Sequence, residues 1–441
     1  MLGLVCICLF APACSNSGDD DDNAAAAADD DSGGGTDDDS TNDDDDAADD
    51  DNDDNNDDTA NDCGDYSDAL PDPEGACTGN PNSLFPALTG PYCVGTTAPI
   101  HLIDESRNEP FTPDIPAARR EMMIQIWYPV DQGTTGERAP YIDPVTAAYE
   151  ASIPPAAWVD MPAEAFLQIQ PHALLDAPFA AGLKKFPLLL FSPGLKREYF
   201  NYAALIENMV SHGYIIVTIN HPYISGITVF PDGRSMEVVL PADEAGSFDL
   251  VVGDARFVLD TLVGWNTDFS GDPRFTCRMD LDKAAMFGHS YGGSTAVGAA
   301  VLDSRLRAAL NLDGPTFGAV VNEGTHKPLF FMISDEHLPN PDPDLESAWQ
   351  HLSGPGFQAE VSGTAHMSFS DYPVLLHDFA PSTPLWLLDM GTIDPLLALE
   401  ITNRYEQTFF DVYLKSAPVD DLLAVAGDYQ EITFQSKNVA N

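Results

Sequence analysis

The sequence predicts an α/β fold with a mostly parallel central sheet and helices on both faces. Three observations carry this expectation. Six short runs of β-branched, aromatic and aliphatic residues are bounded by turns. Helical patterns lie between them. The runs also lack polar alternation, so each strand is covered on both sides, as parallel strands are.

In chain order the first strand is 122–129 (MMIQIWYP), followed by 186–192 (FPLLLFS). A helical pattern at 199–212 leads to the strand 214–220 (YIIVTIN). A second helical pattern, 249–265, precedes the strand 283–288 (KAAMFG), and a small-residue helix at 294–303 follows it. The strands 306–312 (LRAALNL) and 328–334 (PLFFMIS) come next, and a helix at 401–415 lies near the end. No internal repeat is evident. The Pro/Ala-rich stretch 131–185 interrupts this rhythm and is expected to fold over one end of the sheet as a partial lid.

Composition bounds the function. The 441 residues carry 71 Asp+Glu against 19 Lys+Arg, a net charge of −52, and no basic stripe that would suit a nucleic acid. Residues 15–62 hold 22 of the acidic residues and no Lys or Arg, which leaves 49 acidic against 19 basic elsewhere. This stretch of Asp, Asn, Ala, Gly, Ser and Thr has nothing to bury, and like-charge repulsion predicts a disordered, extended linker. It contains no calcium-loop pattern with a closing Glu, so a solvated spacer is the preferred reading over a calcium site. Residues 2–13 form an apolar stretch too short to span a bilayer, ending in Ala11-Pro12-Ala13-Cys14. That ending resembles a bacterial lipoprotein cleavage box, with Cys14 as the lipidated residue and plain secretion as the alternative. The expected organisation is a leader over 1–14, an acidic linker over 15–62 and one folded domain over 63–441. The expected location is outside the cytoplasm, at the cell envelope or secreted, with contact to a membrane only through the anchor.

Four cysteines fall in the exported part, Cys63, Cys77, Cys93 and Cys277. An even number suits an oxidising compartment. Three pairings are open. Cys77 with Cys93 is favoured because it would staple a Pro/Gly-rich segment.

The chemistry concentrates where the strand 283–288 ends in Gly288-His289-Ser290-Tyr291-Gly292-Gly293. A serine hydroxyl attacks only when exposed at a sharp turn, and the turn needs flanking residues without side chains. Ser290 is the candidate nucleophile, and the Tyr291 N–H beyond it points where an oxyanion would form. Such a serine needs a base and an orienting acid farther along the chain. His366, in the small-residue loop Ser362-Gly363-Thr364-Ala365-His366, is the candidate base. Asp313, after the strand 306–312, and Asp335, after the strand 328–334, compete as the acid. The Ser192-Pro193-Gly194-Leu195 turn offers the Leu195 N–H as second oxyanion donor. No metal or organic cofactor is expected.

At these residues the chain resembles the plasma-type platelet-activating factor acetylhydrolase family, a branch of the α/β-hydrolases. The likeness runs from Trp127-Tyr128-Pro129 to Tyr413-Leu414-Lys415 and includes FSPGL, GHSYGG, the LDG turn, PLFFMISDE and SGTAHMSFSDY. It implies Asp313 rather than Asp335 as the acid, with Leu195 and Tyr291 as the oxyanion donors. It also implies a serine ester hydrolase acting on phospholipids with short or oxidised sn-2 acyl chains, and on small soluble esters. Two departures stand near the expected cleft. Pro193 replaces a frequent His, and His221-Pro222-Tyr223 replaces a frequent His-Arg-Asp. The alternatives are a cutinase-like or general short-chain esterase, or an inactive surface-binding module.

Overall fold

In a computed structural model the chain is described over residues 72–439, except 116, 183, 240–243, 269 and 338–341. The leader, the acidic linker, Cys14 and Cys63 lie outside the described residues. Thirteen strands are present among those described: β1 (Cys93–Thr96), β2 (Ile100–Asn108), β3 (Arg119–Val130), β4 (Leu174–Leu175), β5 (Phe186–Ser192), β6 (Ile215–Asn220), β7 (Ile227–Val229), β8 (Ser235–Glu237), β9 (Met279–His289), β10 (Leu306–Leu312), β11 (Leu329–Ser334), β12 (Gly356–Val361) and β13 (Ile432–Lys437). Eleven form one sheet in the order β13-β12-β11-β10-β9-β5-β6-β3-β1-β4, with β2 on β3, while β7 and β8 form a separate ribbon.

The six strands from β6 to β12 in that order run parallel, and β3 and β13 flank them antiparallel. The predicted strand 122–129 is therefore in the sheet, but it runs against its neighbour. Both faces are covered, as the unbroken apolar runs require. Leu189, Phe191, Ile216, Phe287, Leu310 and Phe330 point into one core, with the helices Ala203–Ser211 and Pro395–Lys415. Leu188, Leu190, Val217, Met286, Ala309 and Phe331 point into the other, with the helices Glu244–Thr267 and Tyr291–Leu302.

Local chemistry sets the ends of these helices. Pro395–Lys415 starts where Asp394 accepts the N–H groups of Leu396 and Leu397, with proline in the first turn, and it buries Ala398, Ile401, Tyr405 and Phe409 along one face. The Asp-Pro start signal puts this helix six residues ahead of the expected 401. The predicted helix 199–212 divides into a 3-10 turn, Tyr199–Tyr202, and an α-helix, Ala203–Ser211. Its cap is tertiary, because the Asp371 carboxylate accepts the Ala203 and Ala204 N–H groups at 2.9 and 3.1 Å.

The stretch 131–185 is not a loose cover. Tyr141, Ile142, Ala147, Phe166 and Ile169 are buried in the core beside Phe200 and Tyr202. Its contacts fall on the loops that carry the candidate chemistry. The Tyr141 hydroxyl donates to Asp371 at 3.2 Å, Tyr372 donates to Glu150, and Arg197 donates to the Pro154 carbonyl at 3.2 Å. Cys77 and Cys93 form a disulfide with Cα atoms 5.2 Å apart, closing a 16-residue separation, and Cys277 is also disulfide-bonded. Among the described residues no helix is long and apolar enough to cross a membrane.

Candidate active site

Parallel register brings the candidate residues to one edge of the sheet. Ser192 pairs with Gly288, His289 with Leu312, and Ser334 with Val361. The residues just beyond these strand ends, Pro193 to Leu195, Ser290, Asp313 and the 362–366 loop, therefore emerge side by side. Ser290 sits at φ 55 and ψ −126, a conformation that non-glycine residues seldom hold. Its N–H donates to the Leu312 carbonyl at 2.8 Å, and the helix Tyr291–Leu302 starts at the next residue. Glycine is required here, because a Cβ on Gly292 would collide with the Ser192 carbonyl oxygen. Gly194 lies as close on the other side, where a Cβ would come 3.1 Å from Ser290 Cβ and 3.3 Å from His289 Nδ1. The oxyanion candidates Leu195 and Tyr291 thus immediately follow two residues that touch.

His366 Nε2 lies 2.9 Å from Ser290 Oγ, and His366 Nδ1 lies 2.7 Å from Asp313 Oδ2. Asp313 is buried, and its other oxygen accepts the Ser334 N–H at 2.7 Å and His337 Nδ1 at 2.9 Å. Burial pushes this carboxyl up, but the hydrogen bonds from His337 and His366 outweigh it and hold the group well below the usual carboxylate range. An ionised Asp313 accepts the hydrogen bond from His366 Nδ1–H and so keeps the proton on that nitrogen, leaving Nε2 as an acceptor for the Ser290 hydroxyl. Asp335 does not reach His366. Its carboxylate accepts the Gly363 N–H at 2.9 Å and so holds the base of the loop.

Three contributors carry no sequence signal of their own. His289 is buried, and its Nε2–H donates to the His366 carbonyl at 2.8 Å. Its Nδ1 accepts the Tyr202 hydroxyl at 2.8 Å, and Tyr202 in turn accepts the Gly194 N–H at 3.3 Å. Burial, reinforced by His366, lowers His289 to about 3 and keeps it neutral, which this pattern of donors requires. One chain of hydrogen bonds therefore ties the Gly194 turn to the His366 loop. His337 is the third contributor, visible in the sequence only as a polar loop histidine. Asp313, His337 and His366 offer ligand atoms that all lie within 4.8 Å of one another.

A second Ser-His-Asp line runs beneath the first. His221, the residue that opens the departing His-Pro-Tyr triplet, has Nε2 3.0 Å from Ser192 Oγ and Nδ1 2.9 Å from Asp254. All three are sealed, at 1%, 2% and 0% exposure, so no substrate reaches Ser192. Asp254 is paired with the buried Arg120 and with Arg107. The line fixes the strand end from which Pro193, Gly194 and Leu195 continue.

A family model for platelet-activating factor acetylhydrolase, isoform II, matches residues 77–231 and 266–420, a span holding Leu195, Ser290, Tyr291, Asp313 and His366. A probable 1-alkyl-2-acetylglycerophosphocholine esterase of Arthroderma benhamiae is 26% identical over 390 residues, 80% of this chain and 93% of the fungal protein. The platelet-activating factor acetylhydrolase of Bos taurus is 25% identical, over 58% of this chain and 64% of the bovine one. The solved structure of a ferulic acid esterase from Streptomyces cinnamoneus matches with a TM-score of 0.67 and 28% identity, over 82% of this chain and 99% of that chain. With the α/β-hydrolase sheet, a serine at its strand-to-helix turn and these relatives, the chain belongs to the platelet-activating factor acetylhydrolase, isoform II, family and is a carboxylic-ester hydrolase.

Proposed function

We propose that the protein is an exported hydrolase that removes short or oxidised sn-2 acyl groups from phospholipids, through an acyl-enzyme on Ser290. The observation that carries this reading is the unbroken line Ser290 Oγ, His366 and Asp313, at 2.9 and 2.7 Å, inside a chain of this family. His366 Nε2 takes the Ser290 proton as Oγ attacks the ester carbonyl, and Asp313 stabilises the imidazolium. The N–H groups of Leu195 and Tyr291 receive the oxyanion. His366 then gives its proton to the departing alcohol. Water repeats the sequence on the acyl-enzyme and frees Ser290. Cys14 is the proposed lipid attachment point, and the acidic linker the tether between envelope and enzyme.

The ferulic acid esterase likeness favours a second reading, in which the acyl group is aromatic. One panel separates the two: an sn-2 acetyl phospholipid, p-nitrophenyl esters from acetate to octanoate, and a feruloyl ester, each with wild type and Ser290→Ala. Preferential phospholipid turnover that vanishes in the variant supports the first reading. Preference for the feruloyl ester replaces it with the second. Turnover that survives in Ser290→Ala removes the nucleophile assignment.

A further inference from the structure

We propose that Asp313, His337 and His366 form an inhibitory site for a borderline divalent transition-metal ion, zinc above all. Two imidazole nitrogens and a carboxylate oxygen are the donor types of open three-ligand zinc sites. His366 Nδ1 and His337 Nδ1 approach the two oxygens of one carboxylate at 2.7 and 2.9 Å, and the ligand atoms of the three residues all lie within 4.8 Å of one another. A tetrahedral zinc with ligands at about 2.0–2.1 Å needs donors roughly 3.4 Å apart, which side-chain shifts below about 1 Å supply.

The surroundings suit the ion. The Asp313 side chain is 1% exposed, while those of His337 and His366 are 44% and 28% exposed, which opens a path to one side. The Ser334 N–H already holds Asp313 Oδ1, and Ser290 Oγ holds the far nitrogen of His366, so two of the three ligands have an outer partner that orients them. Glu336 and Asp342 face the same corner and add negative charge.

The consequence follows from the tautomer. Zinc at Nδ1 displaces the proton there, and neutral His366 takes one from water at Nε2, so its charge is unchanged. Nε2–H then donates to Ser290 Oγ and has no lone pair to accept its proton. A metal-loaded site therefore holds an intact serine without a base.

The inhibitory half rests on the catalytic reading of His366, whereas the binding half does not. Zinc chloride at about 100 μM is expected to lower p-nitrophenyl acetate turnover by the full-length protein at least tenfold, EDTA to restore it, and the same concentration of magnesium, which prefers oxygen ligands, to leave it unchanged. In His337→Phe the half-inhibiting zinc concentration rises at least ~30-fold, read against that variant's own metal-free rate. Equilibrium dialysis of Ser290→Ala against Ser290→Ala/His337→Phe is expected to give one zinc more per chain in the former, and weak binding to the Asp-rich stretch cancels in this difference. Equal zinc content in the two overturns the site, as does inhibition that is undiminished in His337→Phe. Zinc bound in a protein without esterase activity instead refutes the proposed function and leaves the site standing.

Discussion

Replacing Asp313 with Asn tests the orienting role of the carboxylate at almost constant volume. In the native site three donors converge on two oxygens: the Ser334 N–H and His337 on Oδ1, and His366 Nδ1 on Oδ2. An amide has only one oxygen. The Ser334 N–H is a backbone donor at 2.7 Å that cannot turn away, so the Asn oxygen takes the Oδ1 place and the NH2 group faces His366. His366 must then accept at Nδ1 and carry its proton at Nε2, where it can no longer receive the Ser290 proton. A wrong-tautomer site of this kind loses about 10⁴ in kcat, roughly 5.4 kcal/mol at about 1.36 kcal/mol per factor of ten. Asp335→Asn, by contrast, keeps an oxygen for the Gly363 N–H and costs less than about tenfold, in line with a neutral hydrogen bond worth about 1 kcal/mol. Steady-state kinetics on a p-nitrophenyl ester, with near-ultraviolet circular dichroism to confirm folding, measure both. A large loss at Asp335 with little at Asp313 would refute the assignment of the acid.

A fluorophosphonate probe is expected to label Ser290 and leave Ser192 untouched, because Ser192 is only 1% exposed; peptide mass spectrometry decides, and adducts on Ser192 would mean the second Ser-His-Asp line is open. Removing the disulfide in Cys77→Ala/Cys93→Ala is expected to cost about 3 kcal/mol in a urea titration, from the chain entropy of its short loop, and an unchanged midpoint would contradict this. Thermal stability is expected to fall as the pH rises from 6.5 to 8. Burial raises Asp371 to about 7 and Glu207 to about 8, so the stability they confer is whole below their unfolded values near 4 and is lost as pH climbs through the folded ones. Asp313 raises His337, which acts in the same direction, whereas the depressed His289 loses stability only below about 6.5. A Tm that is flat or rises between those two pH values counts against the buried-carboxyl argument.

The central strands were legible in the chain because burial on both faces leaves a one-dimensional mark. FPLLLFS and YIIVTIN admit no polar alternation, and Gly-His-Ser-Tyr-Gly-Gly announces a turn that only small neighbours permit. Edge strands leave a weaker mark. Ile432–Lys437, at the edge of the sheet, mixes polar with apolar residues because one flank meets solvent, and Gly356–Val361, although paired on both sides, is a short run interrupted by Gln358 and Glu360; both went unread. The antiparallel direction of Arg119–Val130 was equally hidden, because direction is a property of pairing and not of composition.

Among the residues of the site, Ser290 and His366 stood out because each sits in a run of small residues that chemistry, not packing, explains. The choice between Asp313 and Asp335 did not stand out, since both follow a buried strand and differ only in where the next loop returns. The resemblance to a known family favoured Asp313, and folding sets the distance: the His366 loop is anchored on Asp335, which brings the imidazole to Asp313 at 2.7 Å. His289, Tyr202, His337 and the line Asp254-His221-Ser192 belong to the same class. Apart from the Gly194 N–H on Tyr202, eight residues away, the partners named for them lie between 24 and 87 residues away in the chain. Composition and spacing record which residues are buried and where the chain turns. Which donor meets which acceptor depends on the register of parallel strands whose ends share one edge, and that is settled only when the whole sheet has formed.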